Sequence, residues 1–256
     1  MLAAKVAGAR SALSGLRQSG AFKALFPRPR GAAVEAVLVN TAGGITGGDR
    51  FDTRIEAQAG SHLSVTTQAA ERAYRAQPGE RGRVGNRLAV GPGARLDWLP
   101  QETILYEGSA LERTLAVDLA ADAQLLMVEP VVFGRAAMGE VLHDALFRDR
   151  IEIRREGVPL YLDALRLEGD IAAHVVRPAV AGGAGAMASL VLVSPAAEAH
   201  LAPVRALMPA TGGASLLRDD VLVLRLLAPD SFALRRALVP ALMRLTDNAL
   251  PRSWMT

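Results

Sequence analysis

A chain of 256 residues with 50% hydrophobic and 21% charged residues can bury a sizeable core, which excludes intrinsic disorder as its main state. It has no cysteine, so thiol nucleophiles, iron–sulfur clusters, disulfide scaffolds and cysteine zinc sites are excluded too, and this usage fits a reducing cytosol. The net charge of +3 hides an asymmetry: residues 1–30 carry Lys5, Arg10, Arg17, Lys23, Arg28 and Arg30 with no acid, a local +6 that leaves −3 for the rest, so the body is not a nucleic-acid surface by charge.

The first stretch, MLAAKVAGARSALSGLR, lacks the apolar segment of a secretory signal and reads as a basic leader, acid-free in the manner of a transit peptide. No long uncharged apolar run follows, so no membrane-spanning helix is expected. From residue 34 the apolar pattern is short-period, and it predicts strands at Val34–Asn40, Phe51–Ala57, His62–Thr67, Val84–Val90, Arg95–Leu99, Arg113–Leu119, Gln124–Glu129, Arg150–Arg155 and Leu160–Leu167. Each is β-branched or alternating and bounded by Gly, Pro or Asp. In DRIEIRRE, Ile151 and Ile153 share a face.

Between the first two strands lies NTAGGITGGDR, residues 40–50. Gly43, Gly44, Gly47 and Gly48 demand positive φ angles or a very close chain approach. A phosphate-binding role is excluded, because Gly48 is followed by Asp49 rather than by Lys and Ser or Thr, and Gly-x-Gly-x-x-Gly is missing. A compact structural turn and a functional site both remain open here. A weak repeat follows: EAQAGSHLSV, AVGPGARLDWL and DLAADAQLLMV each place a turn residue, Gly60, Gly93 or Asp122, before a small residue, a polar one and a leucine. Recurrence near 30 residues is what stacked strand coils or hairpin pairs give, and chance recurrence in a chain with 47 alanines is the competing account.

Beyond Ala172 the texture changes. A strand is expected at Val175–Val176, a flexible Gly/Ala loop at 179–189, and an apolar run at Leu190–Val193. AAEAHLAPVRAL reads as a helix interrupted at Pro203, TGGAS (211–215) as a turn, and DDVLVLRLLA as a strand. Ser231 is read as the cap of a helix reaching Thr246, with Leu238, Leu242 and Leu245 on one face and a kink or restart at Pro240. No long linker interrupts the chain, so residues 1–256 are read as one domain.

Chemistry-bearing residues are sparse. His62, His143, His174 and His200 show neither helical metal spacing nor His-x-His, so no stably bound metal or other cofactor is expected. Asp49, Glu71, Glu102, Glu129, Glu140 and Asp144 lie near Gly or Pro turns and could make weaker, hard-donor contacts. Glu129 stands out, ringed by apolar residues in QLLMVEPVVFGR; the bland account makes it a strand-end carboxylate, solvated or paired with Arg135. Gln68 and Gln101 are amides suited to irregular turns. No Gly-x-Ser-x-Gly occurs, and a glycosidase using Asp49, Asp52 and Glu56 is disfavoured by an aromatic content of 4%.

Taken together, FPRPRGAAVEAVLVNTAGGITGGDRFD, LSVTTQAAERAYRA, GARLDWLPQETILYEGSALERTL, LLMVEPVVFGRAAMGE, RLEGD and LPRSW, in this order from Phe26 to Trp254, resemble the urease accessory family UreD, also called UreH. The motif residues are Asn40, Gly43, Gly44, Gly47, Gly48, Gln68, Gln101 and Arg135, while residues 1–25 match poorly. The resemblance implies a mainly β fold, an elongated helicoid of stacked strands with a few short helices, the clearest near the C-terminus. It implies a cytoplasmic, non-enzymatic scaffold that joins UreF and the GTPase UreG on apo-urease and assists GTP-dependent nickel delivery, with a dimer formed through that complex. A strand-solenoid carbohydrate enzyme using paired carboxylates is the alternative. On the family reading, nickel in transit would meet passage-lining groups among Asp49, Glu102, Glu129 and Glu140, with Arg135 pairing a buried carboxylate.

Overall fold

The computed structural model describes residues 1–28 and 31–255, so Arg30, counted above among the cations of the leader, lies outside the described residues. In chain order the strands are β1 (Leu2–Ala7), β2 (Arg10–Leu16), β3 (Phe22–Leu25), β4 (Val34–Asn40), β5 (Arg50–Ala57), β6 (His62–Thr67), β7 (Glu71–Ala73), β8 (Gly82–Val90), β9 (Arg95–Leu99), β10 (Thr103–Leu105), β11 (Ala110–Leu119), β12 (Gln124–Phe133), β13 (Ala145–Arg155) and β14 (Val158–Gly169). Helix α1 (Ile171–Val175), β15 (Ala186–Val193), α2 (Ala197–Leu207), β16 (Gly212–Arg218), β17 (Val221–Ala228) and α3 (Ser231–Leu245) complete the order. The fold is mainly β, as expected.

From β4 to β13 the chain passes back and forth between two sheets, with β6 and β7, and then β9 and β10, laid in succession on the second. One has the order β14-β13-β11-β8-β5-β1-β2, and the other β16-β17-β15-β12-β9-β6-β4-β3, with β10 paired to β12 and β7 paired to β10. Neighbours β5, β8, β11 and β13 are parallel, and so are β4, β6, β9 and β12. Each coil therefore lays one strand on each sheet. The recurrence in the sequence is real: the Gly60 N–H donates to Pro92 O at 2.8 Å, and the Gly93 N–H to Asp122 Oδ1 at 2.8 Å, so the turns stack.

Stacking in register repeats the same kind of side chain across coils. On the first sheet Leu2, Ile55, Leu88, Val117 and Ile153 form one row, all buried. On the second, Leu63, Leu96 and Leu125 form another and pack against the first sheet in a shared core. The opposite face of the second sheet is covered by α2 and α3 through Leu126, Val128, Leu238, Leu242 and Leu245. The alternation of the strands thus fills two layers at once. Antiparallel hairpins β1–β2, β13–β14 and β16–β17 lie at sheet edges, and each carries a register shift.

Several expectations are corrected. The stretch read as a basic leader belongs to the first sheet: β1 pairs with β5 and β2, and Leu2, Ala3 and Ala4 are buried while Lys5, Arg10 and Arg17 stay exposed. The two-residue strand at Val175–Val176 is instead the end of α1 and its C-cap, because Asp170 Oδ1 accepts from the Ala173 N–H at 2.8 Å and starts a helix. TGGAS is not a turn but the start of β16, paired with β17; Gly212 lies so close to Leu226 that a Cβ would sit 2.9 Å from its Cδ1. The cap of α3 is Asp230, whose Oδ1 accepts from the Ala233 N–H at 2.7 Å, rather than Ser231. Helices α2 and α3 also run through Pro203 and Pro240 without a break, since burial of Val204, Leu242 and Leu245 outweighs one lost backbone bond in each.

Leu88→Ala empties the centre of the five-residue row and is expected to lower stability by about 2–5 kcal/mol. Urea unfolding checks this through a lower midpoint at unchanged slope. A midpoint within error of the parent would show that the row does not hold the coils together.

Candidate functional site

The row of inward positions on the first sheet changes character at one rung. Phe51, Val84, Arg113 and Asp149 are lateral neighbours on β5, β8, β11 and β13. Arg113 follows Leu111 and precedes Leu115 on its face, and it is 6% exposed. On the facing sheet the inward positions of β12 run Leu125, Met127, Glu129 and Val131, with Glu129 3% exposed.

The two residues meet across the gap. Arg113 Nη1 lies 2.6 Å from Glu129 Oε2, and its Nη2 and Nε lie 2.6 and 2.9 Å from the two oxygens of Asp149. Arg113 Nη1 also donates to Thr103 Oγ1 at 3.1 Å, and Trp98 Nε1 donates to Glu129 Oε1 at 2.7 Å. The Phe147 ring lies 5.4 Å from the guanidinium carbon. The backbone makes room here. Beside β12, the pairing with β9 ends at Trp98 and that with β10 begins at Thr103, and Pro130, which has no N–H to offer, sits at this break.

A cavity of about 50 Å³ occupies the break, lined among others by Glu71, Asn86, Trp98, Gln101, Thr103, Arg113 and Glu129. That is room for a few waters or a partly hydrated ion. It shares Phe22, Leu38, Thr67 and Glu71 with a second cavity of about 110 Å³, whose wall includes Asn40, Gly43 and Gln68. Glu71 stands where the two meet, and Asn40 Nδ2 donates to both of its carboxylate oxygens at 3.1 Å and to Gly44 O at 2.9 Å.

Burial governs the electrostatics. It pushes the Glu71 carboxyl above its usual range, against donation from Asn40 and the Arg72 N–H. It pushes Glu129 up as well, with the Asp149 charge adding to it and Arg113 and Trp98 opposing. Burial alone would lower Arg113, but its two carboxylate partners outweigh that and hold it firmly protonated. The arrangement is a buried, acid-rich pocket of hard oxygen donors around one guanidinium.

Of the four carboxylates expected in a passage, Glu129 alone lines the central cavity. Asp49 Oδ2 accepts from the Thr46 N–H at 2.9 Å and closes the glycine loop. Glu102 faces Arg235 at 3.3 Å, and Glu140 pairs with Arg135 at 2.8 Å. Two readings are thereby corrected: Glu129 lies mid-strand rather than at a strand end, and its partner is Arg113 and not Arg135, which is partly exposed and stacks on Tyr106. The glycine loop meets its expectation. Gly43 and Gly48 have φ of 79° and 83°, and a Cβ on Gly44 would fall 2.2 Å from the Tyr74 ring and 2.7 Å from Arg72 O. Gln68 lines the outer cavity, and Gln101 lines the inner one while accepting from Arg235 and donating to Ser253 Oγ at 3.5 Å. The glycosidase trio finds no support, because Asp52 is exposed and paired with Arg50 at 2.7 Å.

Arg113 and Asp149 were missed, although the signal was present: extending the alternation of Leu115 and Val117, or of Ile151 and Ile153, two residues back places each on the buried face. A second buried carboxylate, Asp97, was missed too. It lies on the opposite face of β9, 2.7 Å from His62 Nε2 and 2.9 Å from Arg95 Nε, and Arg95 in turn donates to Leu245 O at 2.9 Å. Among the described residues, no three His, Asp or Glu side chains are grouped to hold a metal ion, and no helix is long and apolar enough to cross a membrane.

Residues 1–255 match the family model described as UreD urease accessory protein. A urease accessory protein UreD from Ruegeria pomeroyi is 58% identical over 253 residues, covering 99% of this chain and 98% of its own. One from Roseobacter denitrificans is 57% identical over 244 residues, 95% of this chain and 89% of its own. A third, from Rhizobium leguminosarum bv. viciae, is 46% identical over 254 residues, 99% and 93% of the two.

The pair beneath the helices makes stability depend on acid. Burial would raise Asp97, but donation from His62 and the Arg95 charge outweigh it, and the carboxyl is held below its usual range. A carboxylate with a depressed folded pKa contributes stability above its unfolded value near 3.9, lost as pH falls through the folded one. Asp97→Asn is therefore expected to cost about 1–3 kcal/mol at pH 7. The gap from the parent should narrow as urea midpoints are taken at successively lower pH, below about 4. A gap that stays constant with pH would rule out the charged pair as its origin.

Proposed function

The chain belongs to the UreD urease accessory protein family, and on that footing we propose that it is a non-catalytic scaffold of urease maturation whose polar interior passes nickel ions toward apo-urease. In this reading it works in the cytoplasm within a complex with UreF and the GTPase UreG, which docks on urease, and GTP hydrolysis in the partner drives delivery. The observation that carries the passage is the pair of adjoining cavities that share Phe22, Leu38, Thr67 and Glu71, one lined by Asn40 and the other by Glu129.

The chemistry suits transit. Carboxylate, amide, hydroxyl and water oxygens accept a divalent ion without the tight capture that thiolate and imidazole sets give, and no such set lines the cavity among the described residues. Glu71 and Glu129 supply the negative charge that draws a cation from the outer cavity to the inner one. Asn40 and Trp98 hold the two carboxylates in place by donating to them. Asp49, Glu102 and Glu140 serve shape: one closes the glycine loop, and two anchor arginines.

Glu129→Gln keeps the size of the side chain and removes its charge. Urease activation reconstituted with this variant is expected to fall roughly tenfold, the scale on which a lost carboxylate partner changes metal handling. Asp49→Asn, which still accepts from Thr46, should activate normally. Full nickel loading of urease by a folded Glu129→Gln variant would sink the passage.

A further inference from the structure

Resting on that reading, we propose that Arg113 is the resident cation of the cavity: its guanidinium keeps Glu129 and Asp149 from closing on a divalent ion, so that without it the passage becomes a trap. The argument begins with what surrounds it. One guanidinium gathers a carboxylate from each sheet and a hydroxyl from β10, at 2.6 Å to Glu129, 2.6 and 2.9 Å to Asp149 and 3.1 Å to Thr103. Two carboxylates and a hydroxyl around one centre are the donors that hard divalent cations take. The guanidinium stands where such an ion would sit.

Charge accounting points the same way. The charged groups lining the inner cavity are Glu71 and Glu129 against Arg113, with Asp149 behind the guanidinium, and the outer cavity adds Arg72, while Asn40, Asn86, Trp98, Gln101 and Thr103 are neutral. Acids thus outnumber bases around the guanidinium, and an approaching cation is favoured over an anion. An ion entering beside Arg113 is attracted by the excess yet finds the two best carboxylates already engaged by a group that neither binds metal nor gives up its proton. Attraction without capture is the result.

Stability alone does not account for an arginine here. Its same-face neighbours along β11, Leu111, Leu115 and Val117, show what this face otherwise holds, and aliphatic replacements of a buried ion cluster commonly pack as well or better. A charge retained at such a position calls for a use.

The test compares the full-length parent with Arg113→Met and Arg113→Lys after incubation with nickel(II) chloride and gel filtration. Arg113→Met is expected to retain on the order of tenfold more nickel than the parent, because two freed carboxylates now share one ion, and Arg113→Lys no more than the parent. The melting temperature of Arg113→Met should rise with added nickel, whereas that of the parent should not. A folded Arg113→Met chain that holds no more nickel than the parent overturns the proposal. Should this variant fail to fold, refolding with nickel or with EDTA decides: better soluble recovery with nickel supports the assignment, and equal recovery overturns it. Nickel retained by the triple variant Arg113→Met, Glu129→Gln, Asp149→Asn also overturns it, since the ion then sits elsewhere. These readouts use no urease, so failure of the passage in the activation assay with Glu129→Gln leaves them separately legible.

Discussion

Two parallel strands that follow each other along a chain need a return path between them, and in this protein the return path is the opposite sheet. That requirement sets nearly everything else. Each coil contributes one strand to each sheet, the corners stack through Gly60, Gly93 and Asp122, and side chains of one kind align in rows across coils. Parallel pairing buries both faces of a strand when both are covered. Here one face of the second sheet meets the first sheet and the other meets α2 and α3.

Rows that repeat leucine and isoleucine would close the interior completely. One rung departs from the rule, at Arg113 and Asp149, and the facing strand departs at the same level with Glu129. The backbone departs there too, where β9 gives way to β10 beside Pro130. Side-chain and main-chain irregularity coincide, and the cavity is their common product. A buried ion cluster of this kind is weak support for stability, so the same features that interrupt a well-packed stack are the ones that give it an interior route. The C-terminal segment joins in from outside: Trp254 donates to Leu99 O at 2.9 Å, and Ser253 reaches Thr66 and Gln101, tying the far face of the break to α3 through Arg235.

Much of the fold was legible in the residues because period-two alternation is a local property. β4, β6 and β9 were placed to the residue, and the longer strands were found with their ends clipped, as at Gln124–Glu129, which continues through Pro130 to Phe133. What local pattern cannot show is a partner. β16 is a strand because β17 lies beside it, and the basic start of the chain is a strand because β5 offers Ile55 opposite Leu2. The site was half legible for the same reason. Glu129 stood out as an acid among apolar neighbours, but its partner lies on another sheet, sixteen residues earlier in sequence and one coil layer across, and sequence proximity favoured Arg135 instead. The glycine loop was readable in full, since its demand is on the backbone itself.

The edge hairpins carry a consequence of their own. A stack of parallel coils has no intrinsic length, and a bare terminal coil would offer the next molecule a ready template for end-to-end growth into fibres. At both ends of the first sheet the chain reverses instead: β1–β2 closes one side and β13–β14 the other. Each reversal is bent by a register shift, between Ala3 and Ala4 and between Ile153 and Arg154, and β16–β17 ends one side of the second sheet in the same way. A kinked, antiparallel border does not match the direction or spacing of a flat parallel strand. The reversals thus end the run of parallel coils and keep a polymer-like architecture finite.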